Sequence, residues 1–240
     1  MTDSHHTQVS NTDIIAAELR QNDRDLYLCV LVAPAARRAP VLALYAFNAA
    51  LTRARRTASE PMAAQLKLKW WYDALGEIFA GAPPHHPLAQ ALADAAPLGL
   101  DKTILLDLVQ AHADELAAPD GVEPGLLEMR ARTLWLPVFR QVAAMAGQGA
   151  DQVDAASTAW GLTCLLRGGA VALEQIRPLH DMASQNAAQA SGHLPSLLAN
   201  IYLKRIRRVG FDMSQPGAQR SDPGAMALPK LWWAARRGRV

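Results

Sequence analysis

Residues 25–34 read Asp-Leu-Tyr-Leu-Cys-Val-Leu-Val-Ala-Pro, residues 43–56 read Ala-Leu-Tyr-Ala-Phe-Asn-Ala-Ala-Leu-Thr-Arg-Ala-Arg-Arg, and residues 66–75 read Leu-Lys-Leu-Lys-Trp-Trp-Tyr-Asp-Ala-Leu. Ala and Leu dominate these three stretches, and β-branched residues, which favour strands, are few. No alternation of apolar and polar residues and no internal repeat is visible in them. We therefore predict an all-α fold.

The same helical character extends through most of the chain. Half of the residues are apolar, so a chain of 240 residues can bury one substantial core. We predict a flexible N-terminus over 1–11 and a single helical domain over 12–240. Within that domain the sequence predicts helices over about 12–19, 23–33, 40–57, 63–79, 88–96, 101–117, 128–146, 150–172, 194–208 and 231–237.

Prolines and apolar spacing place the ends and faces of these helices. Pro40 is expected in the first turn of its helix, where proline is tolerated, and Pro137 is expected inside a helix. Residues 212–229 are rich in Pro and Gly and are predicted to form a loop. Over 63–79 four apolar residues recur at helical spacing and predict one apolar face, namely Leu66, Trp70, Leu75 and Ile78.

The charge is distributed unevenly along the chain. Residues 201–240 hold nine Lys or Arg and two Asp, although the net charge of the whole chain is only +2. A basic end on a mildly acidic body suggests an anionic partner such as a membrane surface or another protein. The alternative is a solvated terminal helix. Nucleic acid is not an expected partner, because only this end combines cations with aromatic residues.

The cysteines and the N-terminus indicate the compartment. Cys29 and Cys164 lie in apolar runs, so we expect two buried thiols in a reducing environment. Residues 1–21 lack a basic start followed by an apolar run, and no stretch approaches roughly 20 uninterrupted apolar residues. We expect no secretory signal, no membrane span, and a cytoplasmic location that includes the inner face of the cytoplasmic membrane.

The chain resembles the squalene/phytoene synthase family over most of its length. In matching order and spacing, the resemblance is carried by residues 27–34, 43–47, 68–75, 161–167, 202–212 and 230–239. It implies a single-domain, multi-helix bundle of the isoprenoid-synthase type around a central apolar cavity. Residues 68–75 are similar to a bacterial and mitochondrial side branch that includes the mitochondrial assembly factor for respiratory complex I. The resemblance to that branch implies a role in complex I assembly with a protein partner.

The metal-binding motifs of that family are missing here. In the family, two Asp-x-x-x-Asp motifs on facing helices hold magnesium ions, which neutralise the departing pyrophosphate. The first motif falls on Thr52 and Arg56, and the second falls on Gly168 and Ala172. None of these side chains is a carboxylate, and an arginine repels a cation. We therefore expect no catalytic or metal-binding residues and no cofactor, and we interpret the chain as a lipid- or partner-binding factor.

Two other interpretations stay open. The chain could be an active transferase that condenses two prenyl diphosphates with Mg²⁺, provided that other carboxylates replace the missing ones. It could also be a helical interaction protein whose cavity is filled by side chains. The acids and the histidine that could substitute, which we expect to face solvent or to pair with Lys, are Asp73, Glu77, Asp107, His112, Asp114 and Glu115.

Arginines near the first motif suggest an anion pocket. Arg53 and Arg56 share a helical face, and guanidinium groups bind phosphate without a metal. We predict a pocket for a phospholipid or a prenyl phosphate, formed by Tyr45, Arg53, Arg56 and Arg167. The alternative is a basic surface patch that contacts a partner.

The C-terminal segment combines aromatic and cationic side chains. Trp232, Trp233, Arg236 and Arg237 suit a peripheral membrane contact, because indole rings and cations both favour the lipid headgroup region. The same pattern suits tryptophans packed in the core beside a solvated basic end, and this second interpretation is the one we favour.

Overall fold

The computed structural model describes residues 10–57, 60–118, 123–146, 152–169, 171–190, 193–219 and 222–236. Within these ranges the chain forms α-helices and one short 3₁₀ helix (Ala96–Leu98) and contains no strand, which confirms the all-α prediction. Most of the predicted flexible N-terminus, together with Arg237, lies outside the described residues. The helices are α1 (Asn11–Asn22), α2 (Arg24–Val32), α3 (Ala35–Thr57), α4 (Pro61–Phe79), α5 (Pro87–Ala95), α6 (Lys102–Asp114), α7 (Pro124–Ala146), α8 (Val153–Gly168), α9 (Leu173–Gln189), α10 (Leu194–Arg208), α11 (Pro216–Gln219) and α12 (Ala227–Arg236).

Capping side chains set the start of the first two helices. The Ser10 hydroxyl accepts a hydrogen bond from the Asp13 N–H at 3.1 Å. The Asp23 carboxylate accepts one from the Leu26 N–H at 3.0 Å. Such caps satisfy N–H groups that have no partner within the helix. Helices α1 and α2 therefore begin within one residue of the predicted positions.

Helix α3 begins more than one turn before Pro40. The Arg37 N–H donates to the Pro34 carbonyl at 2.8 Å, so the first turn is already formed before the proline is reached. Residues 35–39 read Ala-Ala-Arg-Arg-Ala, and Ala and Arg are strong helix formers. The prediction that Pro40 lies in the first turn is wrong, whereas Pro137 does lie inside α7 as predicted.

Two segments are more helical than the sequence suggested. Helix α9 was missed, because its many polar residues and Pro178 obscure the apolar spacing. Helix α11 and the first residues of α12 occupy part of the predicted loop over 212–229. The buried side chains of α9 still recur at helical spacing and pack into the core; they are Ile176, Leu179, His180, Ala183 and Ala187.

Helix α8 lies at the centre of the bundle, as predicted, and packs against α7, α9 and α10. Trp160 and Leu162 are fully buried in it. Gly161 lets α7 approach closely, since a Cβ atom at this position would lie 2.8 Å from both the Cβ and the carbonyl oxygen of Ala131. The core is thus built around a helix whose surface is almost entirely covered by other helices.

Two further expectations concern reduced thiols and the absence of a membrane-spanning helix. Cys29 is buried and Cys164 is half-buried, and neither forms a disulfide. Within the described ranges, none of the helices combines the length and the apolar character needed to cross a membrane.

Candidate functional site

The four positions of the missing motifs lie on α3 and at the junction of α8 and α9. Thr52 is half-buried and Arg56 is exposed, one turn apart on α3. Gly168 ends α8, and Ala172 immediately precedes the first residue of α9. Magnesium prefers oxygen ligands and is usually held by carboxylates. These positions supply one hydroxyl and one guanidinium, so the residues present do not fit the ion.

A buried ionic cluster, not predicted from the sequence, lies beside one of these positions, Gly168. Asp25, at the start of α2, is only 4% exposed. Its carboxylate accepts hydrogen bonds from the Tyr202 hydroxyl at 2.7 Å and from an Arg167 Nη atom at 2.9 Å. The Arg167 guanidinium carbon also lies 3.7 Å from the centroid of the Tyr202 ring. We call Asp25, Arg167 and Tyr202 the Asp25 cluster; it joins α2, α8 and α10.

Burial controls the protonation of the acids at the start of α2. It raises the pKa of Asp25, although Arg167 and the Tyr202 hydroxyl act in the opposite direction. Burial also raises the pKa of the neighbouring Asp23 to about 6. The hydrogen bond from the Leu26 N–H opposes that rise, and the charge of Asp25 adds to it. A second negative charge is therefore disfavoured beside the Asp25 cluster.

Charges between α3 and α8 are mixed rather than acidic. Burial raises the pKa of the Cys164 thiol, while the positive charges of Arg167 and Arg56 lower it. The negative charges of Asp23 and Asp25 raise the pKa of this thiol further. The pKa of Cys164 thus responds to two carboxylates and two guanidinium groups, one of which belongs to Arg56 at the first motif position.

The apolar cavity beside this region is small. It has a volume of about 20 Å³ and lies between α2, α3, α7 and α10. Cys29, Tyr45, Phe139 and Leu194 are among its lining residues. A volume of this order holds about one water molecule, whereas small-molecule sites usually measure roughly 300–1,000 Å³. This cavity is apolar, as expected from the resemblance, but a prenyl chain does not fit in it.

The four residues of the predicted anion pocket do not line a common cavity. Tyr45 is 2% exposed and faces the small apolar cavity. Arg167 is engaged by Asp25, and Arg56 is exposed near Cys164. Arg53 lines a different recess on the outside of α3. Tyr45 and Arg53 thus line two different cavities, and neither Arg56 nor Arg167 lines either of these two.

That different recess is a groove of about 300 Å³ between α1, α3, α4 and α5, which we call the α4 groove. Trp70 and Trp71 form one wall, with ring centroids 4.7 Å apart, and the His86 ring lies 5.4 Å from each. The apolar spacing of the sequence predicts Leu66 and Trp70 on the same face as Leu75 and Ile78. That prediction is wrong for the first two, because α4 buries Leu68, Trp71, Leu75 and Ile78 and leaves Leu66 and Trp70 exposed.

A second buried ionic cluster lies between α3, α6 and α7. Glu115 accepts hydrogen bonds from Arg130 at 2.6 and 3.0 Å and forms an ion pair with Arg55 at 3.3 Å. We call these three residues the Glu115 cluster. Nearby, His112 is 1% exposed and its Nε2 lies 3.3 Å from the Asn48 side-chain oxygen. Burial, together with the charge of Arg55, lowers the pKa of His112 to about 3.

The structure also shows the surroundings of the acids and the histidine that could have replaced the missing motif carboxylates. Glu115 and His112 do not face solvent as expected: the Glu115 carboxylate is paired with Arg55 and Arg130, and His112 is buried in the core. Asp73 forms an ion pair with Lys69, as predicted. Asp107 and Glu77 are exposed, and Asp114 accepts a hydrogen bond from Gln110 at 2.7 Å. In the described part of the chain, no three His, Cys, Asp or Glu side chains converge as metal ligands.

Helix α12 presents its tryptophans to the outside. Trp232 is 49% exposed and Trp233 is 52% exposed, so the favoured prediction that they pack in the core is wrong. The helix buries the small or branched side chains Ala227, Leu231 and Ala234 instead. The Arg236 guanidinium carbon stacks 3.9 Å from the Trp232 ring centroid. This face combines indole rings and a cation, as the predicted membrane contact requires.

Comparison with known proteins gives relatives of two kinds. The chain is 25% identical to complex I assembly factor 6 of Bos taurus, an NADH dehydrogenase (ubiquinone) assembly factor, in an alignment that covers 89% of this chain and 79% of that protein. It is 37% identical to the Homo sapiens protein of the same name over 71 residues, which is 30% of this chain and 21% of that protein.

Solved structures of two synthases share the fold. A dehydrosqualene synthase superposes with a TM-score of 0.68 at 12% identity, covering 95% of this chain and 96% of the other. Squalene synthase HpnC from Alicyclobacillus acidocaldarius gives a TM-score of 0.60 at 16% identity, covering 95% and 93%. At such identities these similarities establish the isoprenoid-synthase type of fold and not the activity.

A model of the squalene/phytoene synthase family matches residues 19–169, which include α2 through α8 and three of the four motif positions, namely Thr52, Arg56 and Gly168. This match spans more than half of the chain. Together with the shared fold, it confirms the resemblance found in the sequence: the chain belongs to the squalene/phytoene synthase family.

Proposed function

We propose that this chain is a non-catalytic member of its family that binds a protein partner in the assembly of respiratory complex I at a membrane surface. The Asp25 cluster is the observation that carries the loss of catalysis. Arg167, the cation next to the second motif position, is already paired with Asp25 and stacked on the Tyr202 ring. The names of the mammalian relatives support the assembly role.

The interior offers little to a prenyl diphosphate. Ionisation of such a substrate requires cations to stabilise the departing pyrophosphate, and the motif positions hold no carboxylate to bind them. The small apolar cavity leaves no volume for the hydrocarbon chain. The residues that remain, an ion pair and a stacked aromatic ring, stabilise the contact of α2, α8 and α10 instead of a reaction.

A test of catalysis separates this proposal from the second candidate, a prenyl transferase of squalene/phytoene synthase type. The purified chain is incubated with farnesyl or geranylgeranyl diphosphate and Mg²⁺, and pyrophosphate release is measured beside an active squalene synthase. We expect release at the background rate. Turnover that depends on Mg²⁺ would overturn the proposal and establish the transferase.

The assembly role is tested in the organism that carries the gene. Deletion of the gene should lower the amount of assembled complex I, measured by native gel electrophoresis, and the wild-type gene should restore it. Unchanged complex I in the deletion strain would contradict the assembly role while leaving the loss of catalysis standing.

We further propose that α12 contacts the inner face of the cytoplasmic membrane through Trp232, Trp233 and Arg236. Indole rings settle at the headgroup level, and an arginine near the surface adds roughly 1 kcal/mol of attraction to anionic lipid. Leu228, 40% exposed, lies one turn before Trp232 and extends the apolar part of this face.

Flotation with phosphatidylcholine vesicles, with and without phosphatidylglycerol, tests this contact. Trp232→Ala/Trp233→Ala should lower binding to the anionic vesicles by about tenfold, since two interfacial anchors are lost. Trp70→Ala is the matched control, because Trp70 is similarly exposed but lies on α4. Equal flotation of the wild type and the double variant would contradict the α12 contact.

A further inference from the structure

Helix α4 has a second apolar face, and no helix in the described part of the chain covers it. Met62, Leu66 and Trp70 follow one another at intervals of four residues and are 62%, 64% and 41% exposed. Because i and i+4 positions share a helical face, these side chains form one stripe, roughly 12 Å long. Single exposed apolar residues are common on protein surfaces, whereas an aligned set of three marks an interaction site.

The stripe borders the α4 groove, and Trp70 belongs to both. Beyond Trp70 and Trp71, the groove passes Arg53 and Ala50 and reaches Glu18 on α1. A shallower depression shares Glu18, Ala50 and Arg53 and continues the same surface toward Asn22. The result is an elongated recess with aromatic walls and an apolar border.

The side chains around this recess are more basic than acidic. Arg53 and Lys67 line the groove, and Glu18 is the acid that lines it with them. His86 adds little charge near neutral pH, because burial lowers its pKa, the positive charge of Arg53 lowers it further, and only Glu18 opposes. A partner with apolar side chains and excess negative charge therefore complements this surface.

An amphipathic helix with acidic flanks complements both the elongated shape of this recess and its apolar and basic lining. In helix-in-groove recognition the docked helix carries apolar anchors three and four residues apart, and such a row packs along the exposed stripe of Met62, Leu66 and Trp70. Acidic residues on the flanks of such a helix reach Arg53 and Lys67. A bilayer fits less well, because a flat anionic surface does not fill a recess of about 300 Å³ and is repelled by Glu18.

We propose that the α4 groove docks an acidic amphipathic helix of a partner protein, with one large apolar side chain packed against the rings of Trp70, Trp71 and His86. This inference rests on the proposed function, to which it adds the surface and the chemistry of the partner. It is independent of the membrane contact, since α12 packs against α2 and α10 whereas α4 packs against α3, α5 and α6.

The probe is a synthetic amphipathic peptide of about five helical turns, roughly 18 residues, with Leu on one face and Glu on its flanks. A second peptide replaces every Glu by Lys. Binding to the full chain is measured by calorimetry and by tryptophan fluorescence. We expect the acidic peptide to bind at least about tenfold more tightly than the basic one, because two cations face its carboxylates. No saturable binding of the acidic peptide, or equal binding of both peptides, would overturn the proposal.

Variants locate the binding surface. Leu66→Ala/Trp70→Ala should weaken binding of the acidic peptide by at least about tenfold, as the loss of anchor residues does in other interfaces. Arg53→Glu/Lys67→Glu should reverse the preference between the two peptides. Trp232→Ala/Trp233→Ala, the matched control on α12, should leave binding unchanged. Circular dichroism confirms that each variant is folded; peptide binding that is insensitive to the α4 variants would contradict the inference.

A vesicle experiment excludes the alternative occupant. If Leu66→Ala/Trp70→Ala abolishes flotation with phosphatidylglycerol vesicles, α4 binds lipid and the inference is wrong. Flotation equal to that of the wild type supports it. Failure here differs from failure of the proposed function: unchanged complex I assembly on gene deletion removes the assembly role, whereas an inert α4 groove with intact assembly removes only this surface.

Discussion

The Asp25 cluster and the Glu115 cluster are both buried, yet they balance charge in opposite ways. At the start of α2, two neighbouring carboxylates compete for Arg167, and the pKa of Asp23 rises to about 6. Between α3, α6 and α7, two arginines share Glu115 beside His112, whose pKa falls to about 3. When the neighbouring Asp23 is counted, carboxylates outnumber arginines at the first cluster, whereas arginines outnumber carboxylates in the second.

The opposite charge balance of the two clusters shows how buried charges are arranged in a chain that lacks the four motif carboxylates. In both clusters burial penalises the charged form of a group that has no full partner, so the stability of the fold depends on pH in opposite directions at the two places. In both clusters the paired charges stabilise contacts between helices, and among the described residues no three His, Cys, Asp or Glu side chains converge as metal ligands. The predictions that follow test this contrast, beginning with the largest effect.

Removal of one arginine from each cluster should have unequal effects on stability. Arg167→Met leaves Asp25 without its cation and should lower the free energy of unfolding by about 3–5 kcal/mol, the usual result of breaking a buried pair. Arg130→Met leaves Glu115 paired with Arg55 and should lower it by only about 1–2 kcal/mol. Urea unfolding at pH 7 followed by circular dichroism measures both, and equal losses would break the comparison.

The histidine near the Glu115 cluster should make the protein less stable in acid. Its folded pKa, about 3, lies below the ordinary value of 6.5, so its stabilising contribution is complete above pH 6.5 and is lost as the pH falls toward 3. Linkage then predicts a loss of about 3 kcal/mol between pH 7 and pH 4 from this one group. His112→Gln should remove that part of the loss in urea unfolding at the two pH values. A variant with the same pH dependence as the wild type would show that His112 does not titrate as inferred.

The acid beside the Asp25 cluster should act with the opposite sign. The folded pKa of Asp23, about 6, lies above the ordinary 3.8, so its contribution is complete below pH 3.8 and is lost as the pH rises through 6. The loss is about 2 kcal/mol between pH 4 and pH 7, reduced by the partial exposure of the side chain. Asp23→Asn keeps a capping side chain for α2 and should gain that amount at pH 7 relative to pH 4. If the gain appears at pH 4 instead, the sign of the contrast is wrong.

The smallest effect is expected on the outer face of α4. Leu66→Ala should change the free energy of unfolding by no more than about 0.5 kcal/mol, because the side chain is 64% exposed and its loss leaves no cavity. Leu75→Ala, on the buried face of the same helix, is the control and should lower it by about 2–5 kcal/mol. A large loss from Leu66→Ala would indicate a structural role and would weaken the case for a docking surface.

Local periodicity predicted most helices, since apolar spacing and capping residues are properties of neighbouring residues. It failed where one helix is apolar on two faces: in α4, Leu66 and Leu68 are equally apolar, and only the packing of α3, α5 and α6 decides which is buried. It also failed for Trp232, because the residues around a tryptophan in the sequence do not show whether its side chain is exposed or buried. Helix α9 was hidden by its polar surface and by Pro178.

The candidate site was predictable only in part. The replacement of four aspartates was visible in the residues at positions 52, 56, 168 and 172. The Asp25 cluster was not, because Arg167 lies 142 residues and Tyr202 lies 177 residues from Asp25 along the chain. A single sequence contains no signal for contacts at such separations. A search of the sequence for an acid, an arginine and a tyrosine near the ends of three different helices would return many combinations of residues that do not meet in the structure.

The Asp25 cluster also sets an order of events during protein synthesis. Because Asp25 and Tyr202 are separated by 177 residues, the ribosome needs roughly 9–35 s at typical elongation rates to deliver the tyrosine after the aspartate. Throughout that interval the Asp25 carboxylate lacks the Tyr202 hydroxyl as its hydrogen-bond donor, and α2 and α10 cannot form their contact. The bundle closes only when nearly the whole chain has emerged, shortly before α12, with its two exposed tryptophans, is released.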